Sequence, residues 1–177
     1  MAGAKTPAFL LLFIFLLYFT TVDDKNFEKV KSEAEKFYKS IGKVFCPYFG
    51  ESISFNSKGL SHIKFKSKWD ARDRKDQFMR LKNIKLAPEI LKKSHTLQEL
   101  KHAKTFVDIK TNSRKERILK QTVFYGFIAI IRDGNFDKRL KIIIKEVSGG
   151  EKHFWSIVPY WKSSKELKLH SGNIEED

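Results

Sequence analysis

Four runs rich in β-branched and aromatic residues fill the second half of the chain: Thr105 to Lys110, Thr122 to Ile131, Arg139 to Val147 and His153 to Val158. Turn residues such as Asp133-Gly134 and Gly149-Gly150 separate the later ones, so the runs read as antiparallel strands joined in a meander. The first half repeats its apolar residues at helical spacing instead. Phe27, Val30, Ala34, Phe37 and Ile41 line one face of a helix that Asp23 and Asp24 would cap and Gly42 would end. Its other face is Lys and Glu, so this helix either packs on the body or stands as a linker. Phe78, Leu81, Ile84, Ala87 and Leu91 recur in the same way after Asp73, and Pro88 either breaks that helix or opens a second one. Ser52 to Phe55 alternates like a short strand, Asn56 to Gly59 reads as a turn, and Leu60 to Ile63 favours helix. Thr96-Leu97-Gln98-Glu99 has the capping-box form and predicts one more short helical turn. Helices followed by strands give an α+β class, with N-terminal helices packed on a four-stranded antiparallel meander sheet.

An apolar segment precedes this body. Ala8 to Val22 runs for fifteen residues without a charge. A bilayer-spanning helix takes about 20 residues and a secretory apolar region roughly 7 to 15, so residues 1–22 read as a signal peptide or membrane anchor. Thr20, Thr21 and Val22 make a poor cleavage site, and Lys25, Lys29, Lys31, Lys36 and Lys39 outnumber Lys5 across the segment. That charge asymmetry places the body in the cytoplasm, attached to a membrane through residues 8–22. A secreted protein and a buried N-terminal helix are the alternatives. The organisation that follows is an amphipathic linker helix over 23–43, an α+β domain over 44–162 and a frayed polar tail over 163–177.

Charge narrows the partners. The chain holds 35 Lys and Arg against 21 Asp and Glu, a formal net charge of +14. Such an excess calls for a nucleic acid, an anionic membrane face or an acidic protein. Sixteen Phe, five Tyr and three Trp are too many for a disordered basic tail. Cys46 is the only cysteine, which excludes an intrachain disulfide and a thiolate metal cage, and the five histidines lack zinc-ligand spacing. The expectation is chemistry without metal or cofactor. Between Lys58 and Lys82, nine Lys or Arg and three Asp are interleaved with Phe65, Trp69 and Phe78. Cations among aromatics suit single-stranded RNA, with Arg72 and Arg74 on the backbone and Trp69 stacking on a base. Phe78 fits the core, and His95 and His102 fit loops.

The last two strands assign faces. If Gly149-Gly150 is a two-residue turn with positive φ twice, Lys145 lies opposite Phe154 and Ile143 opposite Ser156. Lys141, Lys145 and Ser156 then share one face, and Ile142, Ile144, Trp155 and Ile157 share the other, which suits the helix layer. Two lysines and a hydroxyl on the open face make a seat for a phosphate.

This layout, with GLSHI at 59–63, KIIIKEVSGG at 141–150 and FWSIVPYW at 154–161, resembles phage-type members of the barnase, EndoU, colicin and RelE-like nuclease superfamily over residues from about 44 to 162. The resemblance implies a helix-plus-sheet fold, metal-independent RNA cleavage, a toxin-like role and an inhibitor protein as a possible partner. It also implies that His62, Lys145 and Ser156 sit at the catalytic positions. Metal-free cleavage needs a base for the 2′-hydroxyl, an acid for the leaving oxygen and cations around the phosphate. His62 suits acid or base work, Lys145 charge stabilisation and Ser156 a bond to a phosphate oxygen. The other reading is a membrane-tethered basic module that binds RNA or anionic surfaces without catalysis. In that reading His62 is a core residue, and Lys141 and Lys145 are solvated strand lysines.

Overall fold

The computed structural model describes residues 23–67, 70–111, 114–133, 136–160, 173–175 and 177. The apolar segment over 8–22, Trp69 and residues 163–172 and 176 of the polar tail lie outside them. Among the described residues no helix is long and apolar enough to cross a membrane.

The chain is α+β, with the elements α1 (Asp24–Ile41), β1 (Lys43–Cys46), β2 (Glu51–Ser54), α2 (Ser57–Lys64), α3 (Arg74–Asn83), a 3-10 turn (Ile84–Leu86), α4 (Ala87–Lys92), β3 (Glu99–Thr111), β4 (Arg114–Asp133), β5 (Phe136–Val147) and β6 (His153–Tyr160). The expected meander is present as β3, β4, β5 and β6, each antiparallel to the next. It belongs to a larger sheet, however, ordered β1-β2-β6-β5-β4-β3. The β2 strand joins β6 in parallel at Ser54 and His153, so the sheet is six-stranded and mixed rather than four-stranded and antiparallel. The two added strands are four residues each; β2 answers to the alternation over Ser52 to Phe55, whereas nothing in the sequence announced β1.

Helices cover one face of this sheet. Leu60 and Ile63 of α2, Leu81 of α3, and Ile90 and Leu91 of α4 pack with Phe127, Leu140, Ile142, Ile144, Phe154 and Ile157 from the strands. Burying each such side chain stabilises the fold by roughly 1.5–3 kcal/mol. The first helix is part of this core, since Ala34 and Tyr38 are buried in it. Asp23 occupies the N-cap position of α1 without a capping bond from its side chain. Pro88 lies in the first turn of α4, where a missing N–H costs nothing, so it opens a helix. Thr96 to Glu99 forms no helix; the Gln98 amide bonds back to the Thr96 hydroxyl at 2.9 Å and Glu99 begins β3.

A local network fixes α2. The Asn56 side chain accepts from the N–H groups of Lys58 at 3.0 Å and Gly59 at 3.4 Å, capping the helix, while the Tyr38 hydroxyl donates to the Asn56 carbonyl at 2.9 Å. Gly59 lies directly over β6, where any Cβ would strike the Phe154 carbonyl and the Tyr38 hydroxyl. That close approach sets the position of His62, less than one turn further along.

The last hairpin departs from the expected geometry in one consequential way. The link between β5 and β6 runs over residues 148–152, and of its two glycines only Gly149 has positive φ, at 78°. Ile143 does lie opposite Ser156, but Lys145 lies opposite His153 and Ile144 opposite Phe154, so Trp155 is an extra residue in β6. This is a β-bulge. It turns Trp155 away from the helix layer and onto the face that carries Lys141, Lys145 and Ser156, where the indole packs with Phe124, Ile143 and Val158.

Candidate anion-binding site

Polar side chains converge at the β6 end of the open face, from four elements and one loop. His62 extends from α2, Arg72 from the loop before α3, Arg80 from α3, Lys141 and Lys145 from β5, and Ser156 from β6. All six are buried. Such a concentration of cations and hydroxyl inside a fold requires compensation. Asp76 supplies part of it, accepting from Arg80 Nε at 2.6 Å and from Arg72 Nη1 at 3.3 Å.

Asp177 supplies more. Its main-chain oxygen accepts from Ser156 Oγ at 2.7 Å, from Arg72 Nη2 at 3.3 Å and, in a very short contact, from Arg80 Nη1. Its carboxylate meets Lys141 Nζ at 2.7 Å, and Glu99 takes a second bond from that ammonium at 3.0 Å. Arg80 also donates to Ser156 Oγ at 2.5 Å. One oxygen thus gathers two guanidinium groups and a hydroxyl, with an ammonium beside it. The same donors suit a phosphate oxygen.

His62 borders this seat. Its Nε2 lies 2.8 Å from Arg72 Nη2, and its ring stacks on Trp155 with centroids 4.0 Å apart and planes 21° apart. Arg72 Nε also holds the His62 carbonyl at 2.8 Å. Burial, then the charges of Arg72, Arg80 and Lys145, drive the imidazole pKa down to about 2, against a smaller opposing pull from the Asp177 backbone. His62 is therefore neutral and accepts from Arg72.

Lys145 lies on the other side of the same indole. Its Nζ is 3.8 Å from the Trp155 ring centroid and 5.0 Å from that of Phe124, and it has no ion-pair partner among the described residues. Burial lowers its pKa to about 8, with the Glu175 charge opposing and Lys58 adding to the fall. Burial likewise lowers Arg72 to about 10, with Arg80 adding to the fall and Asp76 opposing it. For Lys141 burial pulls downward too, but the bonds to Asp177 and Glu99 outweigh it and the net shift is upward.

A cleft of about 680 Å³ opens beside the seat, and His62, Lys145, His153, Trp155, Lys58 and Lys66 are among its lining residues. His153 Nε2 and Trp155 Nε1 border it without hydrogen-bond partners among the described residues. An anionic ligand would find the cations Lys58, Lys66 and Lys145 together there. No three His, Cys, Asp or Glu side chains are grouped as a metal centre requires among the described residues.

Five of the expected site residues, His62, Arg72, Lys141, Lys145 and Ser156, thus come together. Lys141 and Lys145 are buried rather than solvated. Arg74 does not join them; it pairs with Asp24 at 2.9 Å and lies over the Phe27 ring, tying α3 to α1. Trp69 lies outside the described residues, and Trp155, expected in the core under the helices, provides an aromatic surface at the site instead. Arg80 and Asp177 were not expected. The i,i+4 spacing of Asp76 and Arg80 is the one local signal at the former, and it does not distinguish a buried pair from a solvated one. No protein-family model, no curated protein and no solved structure matches this chain.

Proposed function

We propose that this protein binds single-stranded RNA through the seat now taken by Asp177 and cleaves it without a metal. The observation that carries the reading is the convergence of Arg72, Arg80 and Ser156 on one oxygen with Lys141 alongside. A phosphodiester placed there would have its charge matched as it builds up during attack. Neutral His62 is the base that takes the proton from the 2′-hydroxyl; burial first and the neighbouring cations second hold its pKa down, and an arriving phosphate opposes the second of these. Lys145, whose pKa of about 8 keeps it largely protonated at neutrality, is the acid for the leaving 5′-oxygen. The 2′-oxygen bonds to phosphorus as the 5′-oxygen departs, leaving a cyclic phosphate and a 5′-hydroxyl. The resemblance to the barnase, EndoU, colicin and RelE-like nucleases supports the same chemistry.

A binding module without catalysis is the second reading, favoured by the 5% exposure of His62 and its bond to Arg72. Incubation of a labelled mixed-sequence RNA with the protein in EDTA separates the two. Cleavage that His62→Ala and Lys145→Ala both abolish supports the nuclease. RNA that is retained intact by all three proteins supports the module.

A further inference from the structure

The segment Asn173-Ile174-Glu175-Glu176-Asp177 carries three acidic residues, and its described residues lie on the open sheet face, across the approach to the seat. Lys101 Nζ meets the Glu175 carboxylate at 2.9 Å and the Asn173 side-chain oxygen at 2.5 Å. Ile174 is 6% exposed and packs on Phe124, Ile143 and Val158. It fits because Gly126 lies beneath it: a Cβ at residue 126 would come within 3.0 Å of Ile174 Cδ1 and 2.9 Å of Glu99 Cβ. Asp177 then reaches Arg72, Arg80, Lys141 and Ser156. An apolar anchor, an outer ion pair and a carboxylate in the seat make a docked ligand.

We infer that residues 173–177 are a built-in competitor for the RNA seat, an acidic strap that leaves before a phosphodiester enters. This rests on the RNA reading above. The segment offers Lys101 and Lys141 carboxylates, and the two arginines a main-chain oxygen, where a nucleic-acid backbone would offer phosphates. Binding to a seat that its own chain fills is weakened by the fraction of molecules in which the seat is open. Undocking the strap therefore tightens RNA binding without adding any contact to RNA.

The test compares the full-length protein with Ile174→Asp and Asp177→Asn, using a short fluorescein-labelled oligoribonucleotide. Ile174→Asp puts a charge into the apolar hollow and undocks the strap. Its expected effect is about tenfold tighter binding, the factor for a seat filled nine-tenths of the time. The added negative charge by itself would weaken RNA binding, so a gain is attributable to release. Asp177→Asn, which keeps the main-chain oxygen, falls between the two. A synthetic peptide of residues 173–177 should then displace RNA from the Ile174→Asp protein. Thermal unfolding in inorganic phosphate is the second readout, with a larger rise in Tm for Ile174→Asp than for the parent. If the parent binds RNA, the substitutions do not tighten it and the peptide does not compete, the strap idea is overturned and the RNA reading stands. If no protein binds RNA but phosphate selectively stabilises Ile174→Asp, the RNA reading is overturned and the strap over an anion seat stands. If neither ligand distinguishes the variants and none binds RNA, both are overturned.

Discussion

His62 carries a measurable cost of its position. With a pKa of about 2 in the fold, it stays neutral as pH falls, whereas in the unfolded chain it takes a proton below about 6.5. The unfolded state therefore binds more protons across that window, and His62 makes stability fall as pH drops below about 6.5, by up to about 1.4 kcal/mol per pH unit. His62→Gln removes that titration. Its unfolding free energy in denaturant should be lower than the parent's near neutrality, with the gap narrowing toward about pH 5. Lys145 makes a second prediction, on binding. Its ammonium loses charge as pH rises through about 8, far below an ordinary lysine, so RNA affinity should fall between neutrality and about pH 9. Lys145→Arg keeps its charge through that range and should flatten the profile, read as Kd for the oligoribonucleotide against pH. Strand parity puts Lys145 on the open face, whereas His62 is named through the resemblance and for an ordinary pKa near neutrality. Arg80 was not legible in the sequence, because an Asp and an Arg four apart on a helix usually form a solvated pair, and only the contact with β6 buries this one. Asp177 lies 97 residues from Arg80, and no local pattern foretells that meeting. Arg74 was misjudged for a geometric reason: it opens α3 on the side that faces α1, two residues past the arginine that enters the site.

Two elements hold the site together, and one glycine holds the elements. Gly59 lets α2 rest on β6, so Gly59→Ala should force the helix outward and reduce stability by about 1–3 kcal/mol, as overpacking does. The check is a denaturant unfolding curve, with the fluorescence of Trp155 as a local reporter once Trp69 and Trp161 are replaced by Phe, because His62 stacks on that ring. The long strands were readable from their β-branched and aromatic residues, and so were α1, α3 and α4 from their periodicity. Where the reading failed, a shorter-range force prevailed. The Thr96–Gln98 amide bond closes a turn where a capping box would have opened a helix. At the β5–β6 link, one positive φ instead of two lengthens the turn, and the bulge at Trp155 absorbs the change in register. A strict alternation would have sent Trp155 under the helices. The bulge instead puts the indole between His62 and Lys145, so a departure of one residue decides what those two side chains pack against.

At the scale of the whole molecule, the net charge of +14 overstates what an RNA strand can use. Many cations are already matched, such as Lys64 with Glu35, Lys93 with Glu89 and Lys152 with Glu51. At the site, Arg72, Arg80, Lys141, Lys145 and Lys101 are positioned to meet phosphates, and three of them face Asp177 meanwhile. If about five phosphates are neutralised, the affinity for single-stranded RNA should fall with a slope of about −3.5 in log–log against salt, roughly a hundredfold between about 50 and 200 mM. The strap adds a second salt dependence of opposite effect. Its outer ion pair to Lys101 is weakened by the same salt, while the buried pair to Lys141 is screened much less, so the seat opens as the RNA loses attraction. The parent protein should accordingly show a shallower slope than Ile174→Asp, with the two binding curves separated at low salt and meeting at high salt. Parallel lines would mean that the strap does not compete for the seat. Converging lines from one salt titration on two proteins would tie the acidic end of the chain to the same cations that hold the nucleic acid.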